Sequence, residues 1–534
     1  MGLRDVLRKG RVITGAVRQS GLLGTLRPGK VASYMWSTLG RPRNPTGVLR
    51  LHALNSPDRE ALVDGATRLT YARLDERVNR LATALAGMGI RPGERVALML
   101  RNCHEYVEAQ WAIARLGAVA VQIGYRLKAP EIAFILGNSE PRVLFYQRGD
   151  DTTVRAAVAE AQPERLELVA LGEPYEELLD RGDPTAVPAP PREAAGVMIY
   201  TSGTTGRPKG AARGFKESMH ESVADFIAKV GIRHDDRHLC VCPLYHSAAP
   251  AFCAFLFAMG GTIVLLPHFD PEEALAAIAA ERITSAFMVP TMLARLAAVD
   301  RDADTRSLRW LASGAAPLPT ETARRVEERF GPVVYNFYGA TETGLVTLAC
   351  PGEHTARPGT IGRALSGNEI RLLDDAGRDV AAGEVGELYV RNSMLVAGYH
   401  KNPEATRSAM KDGFFSVGDM ARVDADGYYY LADRKIDMVI SGGVNIYPLE
   451  VEQRIHAHPA VLECAVIGVP DAEWGESLKA FVVLRPGAAV SADELRAFCK
   501  QALANYKAPK EFQFVDALPR NPTGKVLKRE LRGA

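Results

Sequence analysis

"RVALMLRNCHEYVEAQWAIARLGAVAVQI" spans residues 95–123. Its first six residues form a β-prone apolar run of strand length, and its last six form another. Between them, apolar residues recur at helical spacing from Tyr106 to Leu116 and stop at Gly117. Strand, helix and strand in so short a span require a crossover, which puts the two strands parallel and lays the helix on the sheet. The pattern continues on both sides. "LTYARLDERVNRLATALAGMGI" (69–90) reads as a helix, "APEIAFILGN" (129–138) as a helix and "RVLFYQ" (142–147) as a strand. This rhythm predicts mostly parallel sheets covered by helices.

The chain has 534 residues, more than one growing core accommodates, so two or more domains are expected. Hydrophobic content of 47%, charged content of 24% and a net charge of +2 describe an ordinary soluble globular chain. Nothing in them points to a nucleic acid polymer. The seven cysteines show no zinc-type spacing and are read as reduced thiols of a cytoplasmic protein. The uncharged stretch from Ala249 to Pro267 is cut by Gly260-Gly261 and reads as a buried helix followed by a central strand, not as a membrane span. Residues 1–44 form a basic leader, with Arg4, Arg8, Lys9, Arg11, Arg18, Arg27 and Lys30 facing Asp5. The leader has two readings: a helix packed on the first domain, or a peripheral contact with an anionic membrane face.

Residues 182–196 are Pro-rich and read as a surface connection. Past residue 360 the texture changes. "GNEIRLLDDAGRDVAAGEVGELYVRN" (367–392) alternates apolar and polar residues, as short antiparallel strands do. "DADGYYYLADRKIDMVISGG" (424–443) reads as a further hairpin, and the residues after it as a compact α+β unit of about 100 residues, an ordinary domain size. The expected domains are the leader 1–44, a large domain 45–433 and a small one 434–534.

"YTSGTTGRPKG" (Tyr200–Gly210) follows an apolar strand. Glycines let backbone N–H groups approach an anion, the hydroxyls add donors and Lys209 adds charge, so phosphate is the expected guest. The Walker spacing fails here, because Gly206 is followed by Arg-Pro-Lys. On its own the stretch reads equally well as a solvent-facing loop.

The stretch does not stand alone, because it resembles the phosphate-loop signature of the adenylate-forming superfamily, which includes acyl-CoA synthetases. "SGAAPL" (313–318), "YNFYGATETG" (335–344), residues 413–452 and "PRNPTGKVLKREL" (519–531) resemble that family's further motifs in their usual order. The likeness covers about residues 45–534. It implies an α/β fold: a large domain of mostly parallel sheets with a small β-barrel-like part, and a mobile C-terminal α+β domain. It also implies two half-reactions. A carboxylate and ATP give acyl-AMP and pyrophosphate; the thiol of coenzyme A then displaces AMP.

The resemblance assigns roles to residues. Thr201, Ser202, Gly203, Thr204, Thr205, Gly206 and Lys209 would cradle the triphosphate. Gly314, Ala315 and Ala316 would leave room for adenine, with Phe337 beside it, Tyr338 stacked on it and Asn336 reading its edge. Thr341 would donate to the α-phosphate. Glu342, with Thr201, would hold Mg²⁺, which prefers carboxylates plus phosphate oxygens. Asp419 and Arg434 would hold the ribose, although Val417 replaces the family's usual Thr or Ser. Lys525 would bridge the attacking carboxylate and the α-phosphate. Gly442, Gly443 and Asn445 would line the path of the thiol arm after the small domain rotates about Ile436, where the family commonly has Asp or Lys.

The acid site would draw on His246 as a gate and on Tyr245, Ser247, Phe252, Val289, Pro290 and Thr291, with Gly339 as the floor. Its apolar walls fit a fatty acid; an aryl acid is the alternative. A second alternative hands the acyl group to a carrier-protein thiol. A homodimer is compatible with the chain.

Overall fold

The computed structural model describes residues 3–38, 46–185, 196–201, 208–214, 221–441, 444–471, 474–520 and 525–532, with only the backbone of residues 3–8 and 434. The expected phosphate-loop residues Ser202, Gly203, Thr204, Thr205 and Gly206, the pair Gly442 and Gly443, and the side chain of Arg434 lie outside it.

The 95–123 stretch folds as read. Strand Arg95–Met99 pairs in parallel with Val119–Gln122, and helix His104–Leu116 crosses between them. Gly117 ends that helix at φ 72°, in the left-handed region that glycine enters without a Cβ penalty. The sheet extends to seven strands, in the order 398–399, 209–214, 196–201, 119–122, 95–99, 143–146, 167–170. Its five central and outer strands are parallel, and strand Lys209–Gly214 turns back antiparallel against Gly196–Thr201. The phosphate-loop stretch is the connection in that hairpin.

A second path runs from parallel strands into antiparallel ones. Strands Glu60–Asp64, Thr262–Leu265, Arg237–Cys240, Ser285–Phe287, Trp310–Ser313 and Val334–Ala340 pair in parallel, in that spatial order. Gly344–Ala349 then reverses direction. The path continues through Thr360–Ala364, Tyr429–Arg434, Phe414–Val423, Gly386–Arg391 and Glu369–Leu373. These last five strands run antiparallel to their neighbours in an open path. The uncharged stretch is helix Ala248–Met259, a left-handed turn at Gly260 and the buried strand Thr262–Leu265. No helix among the described residues is long and apolar enough to cross a membrane.

The expected hairpin at 424–443 is not one unit. Tyr429–Arg434 pairs with Phe414–Val423 in the large sheet. Val439–Ser441 pairs instead with Val444–Ile446 and with the strand Gly475–Leu484 of a separate five-stranded sheet. The stretch 435–438 between them carries no ladder, so the chain changes sheets there. Local alternation reads the same whichever sheet a strand joins, which is why the split is not visible in the sequence. The small sheet is covered by helices Pro448–His456 and Ala492–Lys500, the second opened by a Ser491–Glu494 capping box.

The leader packs on the large lobe. Ala16 of helix Leu3–Gln19 is buried, and Val12 and Ile13 lie against the main core. Asn55 clamps the following turn, its Oδ1 accepting from Arg27 N and its Nδ2 donating to Thr25 O. Met35 and Trp36 of helix Pro28–Thr38 stay exposed, Trp36 at 80%.

Candidate active site

A cleft of about 1870 Å³ opens where the large lobe meets the small one, and both lobes line it. Its centre is the turn after strand Val334–Ala340. Gly339 sits at a bulge where a Cβ would lie 2.1 Å from the Gly344 carbonyl oxygen, so only glycine lets the strand bend there. The bend puts Thr341 and Glu342 into the cleft.

Glu342 is 6% exposed. Its Oε1 accepts from Thr201 Oγ1 at 3.3 Å and from the Tyr399 hydroxyl at 3.1 Å. A carboxylate and a hydroxyl oxygen meeting in one place are hard donors of the kind Mg²⁺ takes. The Thr341 hydroxyl shares a hydrogen bond of 3.2 Å with Ser247 Oγ. Arg213, from strand Lys209–Gly214, donates to the Thr341 carbonyl, and burial holds its pKa down to about 10. Lys209 Nζ sits 5.2 Å from the centre of the Tyr399 ring. Arg213 and Tyr399 belong to the site but have no sequence signal. Each lies in an unremarkable run and reaches Thr341 or Glu342 only through tertiary pairing.

The purine side is built on the neighbouring strand end. Ala315, after strand Trp310–Ser313, takes φ 68°, a strained conformation for a residue with a Cβ. Ala315 and Ala316 face the cleft. Gly314 does not line it; a Cβ there would meet the Phe337 ring at 2.8 Å, so the glycine makes room for Phe337. One N–H of Asn336 is committed to the Thr360 carbonyl at 3.2 Å. The Tyr338 hydroxyl donates to Asp419 Oδ2 at 2.7 Å, joining the expected purine platform to the expected ribose acid. Asp419 lies opposite Arg434 in the strand register.

Lys525 enters from the small lobe. The segment carrying it is closed by the Arg520–Val526 bridge and by Leu527 N donating to Pro519 O at 2.8 Å. Lys525 lines the same cleft as Thr341, Glu342 and Asp419, although more than 300 residues separate it from Thr201. Nearby, Lys528 is held between Glu452 at 2.8 Å and Asp433 at 3.9 Å, and these acids push its pKa up against the effect of burial. Ile436 is 50% exposed at the junction. The residue before it, Lys435, bonds Asp375 and Glu387 of the large lobe; the residue after it, Asp437, bonds Arg532 of the small one. Asn445 is exposed on its strand and does not line the cleft.

The acid side carries Tyr245, His246, Ser247, Phe252, Val289, Pro290 and Thr291, all lining the cleft as expected. Phe252 stacks on Phe287 with centroids 5.0 Å apart. Burial, with the Arg126 charge, lowers the His246 pKa to about 3, so the ring is neutral at physiological pH.

The chain is similar to known proteins over most of its length. Residues 49–400 match the family model described as AMP-binding enzyme, and residues 450–525 match the AMP-binding enzyme C-terminal domain. The chain is 41% identical to a feruloyl-CoA synthase of Amycolatopsis sp, over 89% of this chain and 96% of the relative. It is 36% identical to the long-chain-fatty-acid–CoA ligase FadD13 of Mycobacterium tuberculosis, over 92% of this chain and 98% of the relative. Its fold matches the crystal structure of the anthranilate CoA ligase AuaEII in complex with anthranoyl-AMP, with a TM-score of 0.86 and 30% identity over 93% of this chain and 98% of the other.

Proposed function

The chain belongs to the AMP-binding enzyme family and is an AMP-forming acyl- or aryl-acid–CoA ligase with ATP and coenzyme A as substrates; on that premise we infer which groups carry the two half-reactions and what kind of acid enters. The observation that supports the assignment is the convergence of Lys525 with Thr341, Glu342 and Asp419 in one cleft.

In the first half-reaction the acid's carboxylate attacks the α-phosphorus of ATP, and pyrophosphate leaves. Lys525 places its ammonium between the incoming carboxylate and the α-phosphate, where negative charge accumulates. Thr341 donates to an α-phosphate oxygen, and its bond to Ser247 orients the hydroxyl. Asp419 receives the ribose hydroxyls with Arg434, and the Tyr338 hydroxyl fixes its carboxylate. The purine rests among Ala315, Ala316, Asn336, Phe337 and Tyr338. Ser202, Gly203, Thr204, Thr205, Gly206 and Lys209 hold the leaving pyrophosphate. Glu342 and Thr201 would hold Mg²⁺, which neutralises phosphate charge when bound.

In the second half-reaction the thiol of coenzyme A attacks the acyl carbon and AMP leaves. Before that attack, domains 45–433 and 434–534 turn about Ile436, bringing Gly442, Gly443 and Asn445 to the thiol's path. The ion pairs on either side of Ile436 support this pivot, since each ties its neighbour to a different lobe. Transfer to a carrier-protein thiol is the alternative for this step.

The acid is apolar: fatty by the reading of the walls, and aromatic by the stacked Phe252–Phe287 pair, which suits a flat ring. His246 stands as a neutral gate. Met35 and Trp36, beside Arg27 and Lys30, supply the leader's contact with an anionic membrane surface. AMP release from ATP with a panel of fatty and aryl acids, with and without coenzyme A, tests the function. Release that needs no thiol for turnover, or that occurs with no acid, contradicts it.

A further inference from the structure

Thr201 and Lys209 stand opposite each other at the base of the hairpin that carries the phosphate-loop stretch. Thr201 Oγ1 lies 3.4 Å from the Lys209 carbonyl oxygen and 3.3 Å from Glu342 Oε1, so the phosphate end of the cleft is set by where this hairpin sits. On that side the sheet ends with Gly398–Tyr399, a strand of two residues. So short an edge has little hold of its own, and the hairpin needs an anchor outside the ladder.

Asn138, in the last turn of helix Ala129–Ser139, reaches both sides of the hairpin. Its Oδ1 accepts from the Tyr200 hydroxyl at 2.6 Å, on the strand that enters the phosphate-loop stretch. Its carbonyl oxygen lies 3.2 Å from His400 Nε2. A carbonyl can only accept, so the His400 proton sits on Nε2. His400 N in turn donates to Gly210 O at 2.7 Å, on the strand that leaves the stretch. Lys401 and Glu140 repeat the tie at 3.0 Å. The Tyr200 ring has room because its register partner is Gly210, where a Cβ would lie 3.2 Å from the ring. Phe134 of the same helix meets that ring edge to face, with centroids 6.4 Å apart. Tyr399, next to His400, carries the hydroxyl bonded to Glu342 and the ring beside Lys209.

We propose that Asn138 is a positioning residue for adenylation: it clamps both strands of the hairpin, through Tyr200 and His400, and so holds Thr201, Lys209 and Tyr399 against Glu342. Asn138 belongs to none of the stretches that resemble the family's motifs, and it does not line the cleft, whereas Glu131 and Ile135 of its helix do. This role rests on the ligase reading above. Groups that face the triphosphate lose up to about a hundredfold in rate when displaced by about 1 Å. The thioester step begins after pyrophosphate has left and makes no such demand on the hairpin.

The test measures ATP–pyrophosphate exchange and thioester formation from supplied acyl-AMP, with the acid of the fatty and aryl panel that releases most AMP, and ATP binding by calorimetry without acid. In Asn138→Ala, exchange is expected to fall by about ten- to a hundredfold and the dissociation constant for ATP to rise, while thioester formation stays within about threefold of wild type. Asn138→Asp keeps an acceptor for the Tyr200 hydroxyl and should restore most of the exchange. Tyr200→Phe removes one hydroxyl, a change the fold tolerates more readily, and should reproduce the split between the half-reactions. The double variant should lose little beyond Asn138→Ala, because both changes break one contact. Equal loss in the two half-reactions, or exchange and ATP affinity that neither single variant alters, would overturn the clamp while leaving the ligase standing. A wild type that releases AMP with no acid of the panel would remove the ligase reading, and the clamp with it.

Discussion

Replacing Lys525 by Ala separates chemistry from architecture. The side chain is half-buried, facing the cleft. The packing that holds its segment, Val526 against Leu518 and Leu531, does not involve it. The apolar packing of that segment should therefore survive the substitution. The chemical cost is larger. An ammonium 4 Å from a unit of developing charge contributes about 4 kcal/mol at an effective dielectric constant of about 20. One positioned donor removed from a transition state costs about 10²–10³ in rate. ATP–pyrophosphate exchange in the presence of acid should fall by on the order of 10²–10³. Thioester formation from supplied acyl-AMP should be spared, because no charge then builds on an attacked phosphorus. The two assays on one preparation, with its thermal midpoint, form the measurement. Equal loss in both half-reactions, or exchange within threefold of wild type, would refute the role given to this residue.

Glu342→Gln removes the carboxylate that Thr201 and Tyr399 address; adenylation should drop on the order of 10²-fold and need more Mg²⁺, read from a metal titration of exchange. Tyr338→Phe deletes the hydroxyl bonded to Asp419, a hydrogen bond to a charged group worth about 1.5–3 kcal/mol, so KM for ATP should rise tenfold or more. Ala16→Asp buries an unpaired charge under the leader helix and should lower the thermal midpoint by several degrees; an unchanged midpoint means that the leader does not dock. His238, buried between Phe252 and Trp310, has its pKa pushed from 6.5 to about 3 by burial. Between those values the unfolded chain binds the extra proton, so this residue's share of stability is complete above pH 6.5 and declines by about 1.4 kcal/mol per pH unit below it. Denaturant unfolding of His238→Gln across that range should show a flatter acid limb.

The order of strands and helices around residues 95–123 and the buried helix and strand at 249–265 were legible along the chain. In both cases the signal is local: periodicity and a glycine stop. Lys525 was legible only through the resemblance, since a lysine in a basic tail has no local mark of catalysis. Two features were decided by tertiary structure alone. The hairpin at 424–443 divides between two sheets, because register depends on the partner strand and alternation does not specify one. Arg213 and Tyr399 join the site because strands Lys209–Gly214 and Gly398–Tyr399 pair beside Glu342, a contact of high sequence separation. A sequence records which donors and acceptors a chain owns; which of them remain unsatisfied depends on distances that exist only after folding.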